Sequence, residues 1–110
     1  MNIIFSTNNL EKECNNHRLL EKKHGSKRAK RIRRRLDDLR SVTVLEEMRS
    51  LPGRCHELVH NLDGQLALDL DHPYRLIFEP ADEPIPTKAD GGLDWTKVTA
   101  VRIIGVKDYH

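Results

Sequence analysis

No apolar run in the sequence approaches the ~20 residues that a membrane-spanning helix requires, so nothing in it predicts a membrane role. The start, Met1-Asn2-Ile3-Ile4-Phe5, runs into polar residues without the basic opening and long apolar stretch of a secretion signal. The expected location is therefore the cytoplasm. Cysteine is scarce: Cys14 and Cys55 stand far apart, too few for a disulfide framework. One bridge could join them, but two reduced, partly buried thiols fit a cytoplasmic chain better. Internal repeats are absent, and 110 residues suit one domain around one core. Apolar residues make up only 37% of the chain and charged ones 33%. Several stretches are nevertheless apolar-rich, which excludes global disorder.

What is present in quantity is charge, unevenly placed. Ten of the 19 Lys and Arg residues fall between Lys22 and Arg40. Between Asp63 and Asp94 there are eight acidic residues against two basic ones, Arg75 and Lys88. Such asymmetry suits a basic surface for an anionic partner, with a merely solvated helix face as the alternative.

Periodicity orders the elements. Residues 2–6 read as a short strand. Asn8 with Glu11 opens a helix whose weak stripe, Leu10, Cys14, His17 and Leu20, runs to about Lys23. Gly25 and Ser26 break it. Ala29, Ile32, Leu36 and Leu39 then share one face of a second helix, with Lys27, Arg28, Lys30, Arg31, Arg33, Arg34 and Arg35 around the rest. The two helices form an antiparallel hairpin. Thr43 and Glu46 suit a capping box for a short third helix, ended by Pro52-Gly53. From Gln65 to Leu70 the pattern alternates, with Leu66, Leu68 and Leu70 opposite Ala67, Asp69 and Asp71, as in a strand with one buried face. His72-Pro73 is a turn, Tyr74 to Phe78 a strand that Pro80 ends, residues 80–94 a long loop, and Val98 to Val106 a last strand. The fold class is α+β, with the helices on one face of a mostly antiparallel sheet of four or five strands.

This order, with Leu51-Pro52-Gly53-Arg54, Gly64-Gln65, Pro73-Tyr74-Arg75-Leu76-Ile77-Phe78 and the terminal Asp108-Tyr109-His110, resembles the RelE/ParE toxin superfamily. The second half is similar to its HigB, or plasmid maintenance killer, branch. The resemblance implies a toxin of a type II toxin–antitoxin system that cuts mRNA on the ribosome and uses no metal or other cofactor. It implies a HigA-like helix-turn-helix antitoxin as partner, with operator DNA bound only through that antitoxin. In such chemistry the 2′-hydroxyl attacks the neighbouring phosphate. Arginine or lysine must offset the growing charge, and a group titrating near neutrality must move protons. Carried onto this chain, Arg75 is the phosphate clamp and His110 the acid/base group. Tyr109 and Asp108 orient it or stack on a base, and Arg54 and His60 lie on the same surface. For the basic helix, Lys27, Arg28, Arg31, Arg34 and Arg35 are candidates for RNA backbone contact.

Asp69 and Asp71 depart from the resemblance, standing where basic residues are expected, and carboxylates repel a scissile phosphate. They also let Arg75 be read as a structural ion-pair partner, and they keep open a ParE-like toxin that acts on DNA gyrase. A third reading comes from His56-Glu57-Leu58-Val59-His60, which matches the zinc-protease pattern H-E-x-x-H. That pattern needs a helix. In a strand, at ~3.3 Å per residue, the two histidines stand about 13 Å apart, too far for one metal.

Overall fold

The computed structural model describes residues 1–59 and 64–108. Strand β1 (Asn2–Phe5) leads into helices α1 (Asn8–Cys14), α2 (His17–His24) and α3 (Ser26–Ser41), then a 3₁₀ turn at Leu45–Ser50. Strands β2 (His56–Glu57), β3 (Leu66–Asp69), β4 (Tyr74–Pro80) and β5 (Ala100–Asp108) follow. They form one five-stranded sheet in the order β1-β5-β4-β3-β2. Every neighbouring pair is antiparallel except β1 with β5, which is parallel.

Local chemistry explains the helical boundaries. The hydroxyl of Thr7 accepts from the backbone N–H of Leu10 at 3.1 Å, so Thr7 rather than Asn8 caps α1. The expected single helix to Lys23 is two, because the side chain of Asn16 accepts from the N–H groups of Arg18 and Leu19 and starts a new helix. Gly25 ends α2 with φ of 83°, a conformation that costs glycine little. In α3 the stripe Ala29, Ile32, Leu36 and Leu39 is buried as its spacing predicts. Glu47, not Glu46, closes the 3₁₀ turn, its carboxylate accepting from the N–H groups of Thr43 and Val44.

These helices pack on the sheet face that carries Leu66, Leu68, Leu76, Phe78, Val101 and Ile103, all of them buried in one cluster. Residues directly opposite in register share a face, so the other face of β3, β4 and β5 carries Asp69, Arg75 and Lys107 in a row. That face was expected to be wet. Yet Ala67 and Ile77, paired there at the sheet's centre, are fully buried. Along β4, Ile77 lies between Arg75, paired with Asp69, and Glu79, paired with Arg102. The stems of such long side chains cover apolar surface. Trp95, from the segment that joins β4 to β5, is buried in the core cluster and donates its indole N–H to Glu57 at 2.9 Å.

Candidate functional site

Arg54 reaches the sheet through a turn that Arg35 holds. Gly53 has φ of 110°, and a Cβ there would stand 2.7 Å from Nε of Arg35. Arg35 donates from Nε to the backbone carbonyl of Asp69 at 2.9 Å. Asp69 in turn donates its N–H to the carbonyl of Gly53 at 2.7 Å. This clip sets the Pro-Gly-Arg turn beside the end of β3. Arg54 itself has φ of 50°, a left-handed conformation that costs a non-glycine residue about 1–2 kcal/mol. Arg35 is only 6% exposed, and burial lowers the pKa of its guanidinium. Arg35, named above as a candidate for RNA contact, is thus a buried framework residue at the edge of the groove lined by Lys27, Lys30, Arg31 and Arg34.

Two arginines converge on the carboxylate of Asp69. Arg54 donates from Nε to Oδ2 at 2.9 Å and from Nη2 to Oδ1 at 3.3 Å. Arg75, directly across the ladder, places Nε 3.4 Å from Oδ1. Lys107 stands opposite Arg75 on its other side and is exposed. A small cavity of about 100 Å³ opens between Arg54, Asp69, His72, Tyr74 and Arg75. The predicted pairing of Arg75 with Asp69 is thus present, and Arg54 joins it.

Asp71 is occupied differently. Arg28 forks its carboxylate, with Nε 3.0 Å from Oδ1 and Nη2 3.1 Å from Oδ2. The same guanidinium lies 3.4 Å over the centre of the Tyr74 ring. The hydrogen bonds from Arg28 hold Asp71 below the usual carboxylate range, and Asp71 raises Arg28 in turn. Arg28 is therefore committed to this cluster. The exposed basic residues of α3 are Lys27, Lys30, Arg31, Arg33, Arg34 and Arg40. Lys27, Lys30, Arg31 and Arg34 line a shallow groove that ends at Pro52, two residues from Arg54.

Asp108 ends β5 in register with Tyr74 and so shares the face of Tyr74, one residue on from Lys107. The remaining expected site residues, His60, Tyr109 and His110, lie outside the described residues. His56 adds to the site from outside the expected set. It pairs with Ala67, two residues from Asp69, and so shares the face of Arg75. Its Nδ1 lies 2.7 Å from the carbonyl of Arg54. A carbonyl only accepts, so Nδ1 carries the proton and Nε2 of the neutral ring is left as a base. The H-E-x-x-H segment is strand at His56–Glu57 rather than helix, and Glu57 is engaged by Trp95. Among the described residues no cluster of metal-ligating side chains is present.

No protein-family model matches the chain, and no curated protein matches it either. Solved structures do. A chain of the YoeB–YefM complex from Staphylococcus aureus superposes with a TM-score of 0.58 at 18% identity, covering 100% of this chain and 98% of that one. A chain of the YoeB dimer from the same organism gives 0.58 at 19% identity, with the same coverage. The chain shares the α+β fold of YoeB, the fold class expected from its sequence, over 100% of this chain and 98% of the other.

Proposed function

We propose that the chain is a toxin of a type II toxin–antitoxin system that cleaves mRNA on the ribosome, folded as one domain and working in the cytoplasm. The observation that carries this is the convergence of Arg54 and Arg75 on one oxyanion, at the surface of a fold shared end to end with YoeB. Two guanidinium groups aimed at one point are what the crowded charge of a reacting phosphodiester requires. Arg75 and Arg54 hold the phosphate, and Lys107 adds charge from the next strand. His110 moves protons, and His56, on the face of Arg75, is a second imidazole. Tyr109 and Asp108 orient the terminal histidine. The exposed cations Lys27, Arg31 and Arg34 track the RNA backbone, an interaction that weakens with salt.

One structural neighbour is held in complex with YefM, which supports a dedicated protein partner here. The motifs Leu51-Pro52-Gly53-Arg54 and Pro73-Tyr74-Arg75 favour the HigB branch and hence a HigA-like helix-turn-helix antitoxin, which would carry the operator-binding surface. One observation favours a second reading. Asp69 already engages both arginines and cancels half of their charge, which suits a ParE-like toxin that acts on DNA gyrase without cutting RNA.

Expression in growing cells separates the two. Under the first reading, mapped RNA ends cluster within codons of translated messages, and Arg75→Ala or His110→Ala restores growth without loss of fold. Intact messages with DNA-damage signalling support the gyrase reading.

A further inference from the structure

The site carries its own anion. A carboxylate and a phosphate offer a guanidinium the same paired oxygens. The carboxylate of Asp69 occupies the point where Arg54 and Arg75 converge, 2.9 Å from one Nε and 3.4 Å from the other. We propose that Asp69 is a built-in competitor for the phosphate, and that its side chain must swing out before a phosphate group can sit between Arg54 and Arg75. The inference rests on the RNA-directed reading above and adds to it a residue that sets the affinity.

The framework permits that movement. The backbone of Asp69 is fixed at both its N–H and its carbonyl, by Gly53 and Arg35, independently of the side chain. The side chain is 35% exposed and that of Arg54 61% exposed, so the pair opens directly into water. Asp71 has no such freedom. Its side chain is 18% exposed and its partner Arg28 is stacked on Tyr74. Between Asp69 and Asp71, Asp69 is the displaceable one. The consequence is a weak grip on isolated RNA and a site that fills only when the target is held against it.

The test is binding, read separately from cleavage. A short 2′-O-methyl RNA oligonucleotide, which lacks the attacking hydroxyl, is titrated into the full chain and its variants. Inorganic phosphate is titrated in parallel. Asp69→Asn, or Asp69→Ala as a second variant, is expected to tighten oligonucleotide binding about tenfold by removing a charge at contact distance. Asp37→Asn, an equal charge change on the basic helix, is expected to move it less than about twofold, because that site is exposed and screened. Adding Arg54→Ala to Asp69→Asn should abolish the gain. The proposal is overturned if Asp69→Asn gains no more than Asp37→Asn, or if the gain survives loss of Arg54. A gain for inorganic phosphate with none for the oligonucleotide also overturns it, and assigns the arginine pair to free phosphate. Because cleavage is not measured, a failure here is distinct from a failure of the ribonuclease reading, which the RNA-end mapping decides.

Discussion

Replacing Arg35 by leucine removes the donor that ties α3 to the carbonyl of Asp69. Hydrogen bonds from charged groups contribute about 1.5–3 kcal/mol. The variant should lose a stability of that order, seen in denaturant unfolding, and its arginine turn should loosen. Gly53→Ala should do similar damage, because a left-handed backbone and a contact of 2.7 Å with Arg35 both oppose a Cβ. The two thiols behave simply. Burial, reinforced by Glu13, pushes Cys14 up to about 11, and burial pushes Cys55 up to about 12. Both should resist alkylation in the folded protein at pH 8 and react once it is unfolded, since the thiolate is the nucleophile. Rapid labelling of the native chain would contradict their half-buried placement.

Asp71 makes the residue scale pH-dependent. Its carboxyl lies below the ordinary 3.8 because Arg28 donates to it, so the folded state holds that proton less tightly than the unfolded chain does. Its contribution to stability is fully present above about pH 4 and is lost as the pH falls further, through its folded value. Asp82 acts in the same direction. Burial raises it, but the N–H groups of Thr99 and Ala100 and the Thr99 hydroxyl outweigh that. Asp71→Asn should cost about 1–3 kcal/mol at pH 7, and the difference from wild type should shrink as unfolding is measured at progressively lower pH. A difference that stays constant into acid would remove the ion pair as its cause.

At the scale of elements, α3 was legible from its sequence because an amphipathic helix writes its buried face every three or four residues. Ala29, Ile32, Leu36 and Leu39 lie on that face. Leu36→Ala should therefore cost about 2–5 kcal/mol, whereas Arg31→Ala on the solvent side should change stability little. The same spacing held a signal for Arg35, three residues after Ile32 and four before Leu39, but a run of five basic residues in six positions obscured it. The break at Asn15-Asn16 was missed because one asparagine side chain capping two N–H groups leaves no trace in the apolar stripe. Strand β3 was legible by alternation. The pairing of Arg75 with Lys107, and of Tyr74 with Asp108, was not, because residues 81–99 separate the two strands and a loop that long fixes no register. In the sequence, His56 reads only as half of a metal-ligand pattern. Its place on the face of Arg75 follows from a two-residue strand too short to announce itself.

At the scale of the whole molecule, the helices lie on one side of the sheet and the charged row Asp69, Arg75 and Lys107 on the other. The exposed cations of α3 run toward Pro52 and so toward that row. This division gives the molecule one face built for its own stability and one that is polar and charged. No described helix is long and apolar enough to cross a membrane. The fold agrees with the α+β, RelE/ParE-like class expected for the whole chain, and the aspartates that depart from the resemblance are the residues that engage its arginines. Under the function proposed above, the grip on RNA is restrained rather than absent.

The most direct measurement is translation of one defined message on purified ribosomes, with the purified chain added and the RNA ends mapped. The expected result is cuts in the message that require the ribosome and that disappear with Arg75→Ala. A message that stays intact, in a preparation that inhibits supercoiling by DNA gyrase, would contradict it.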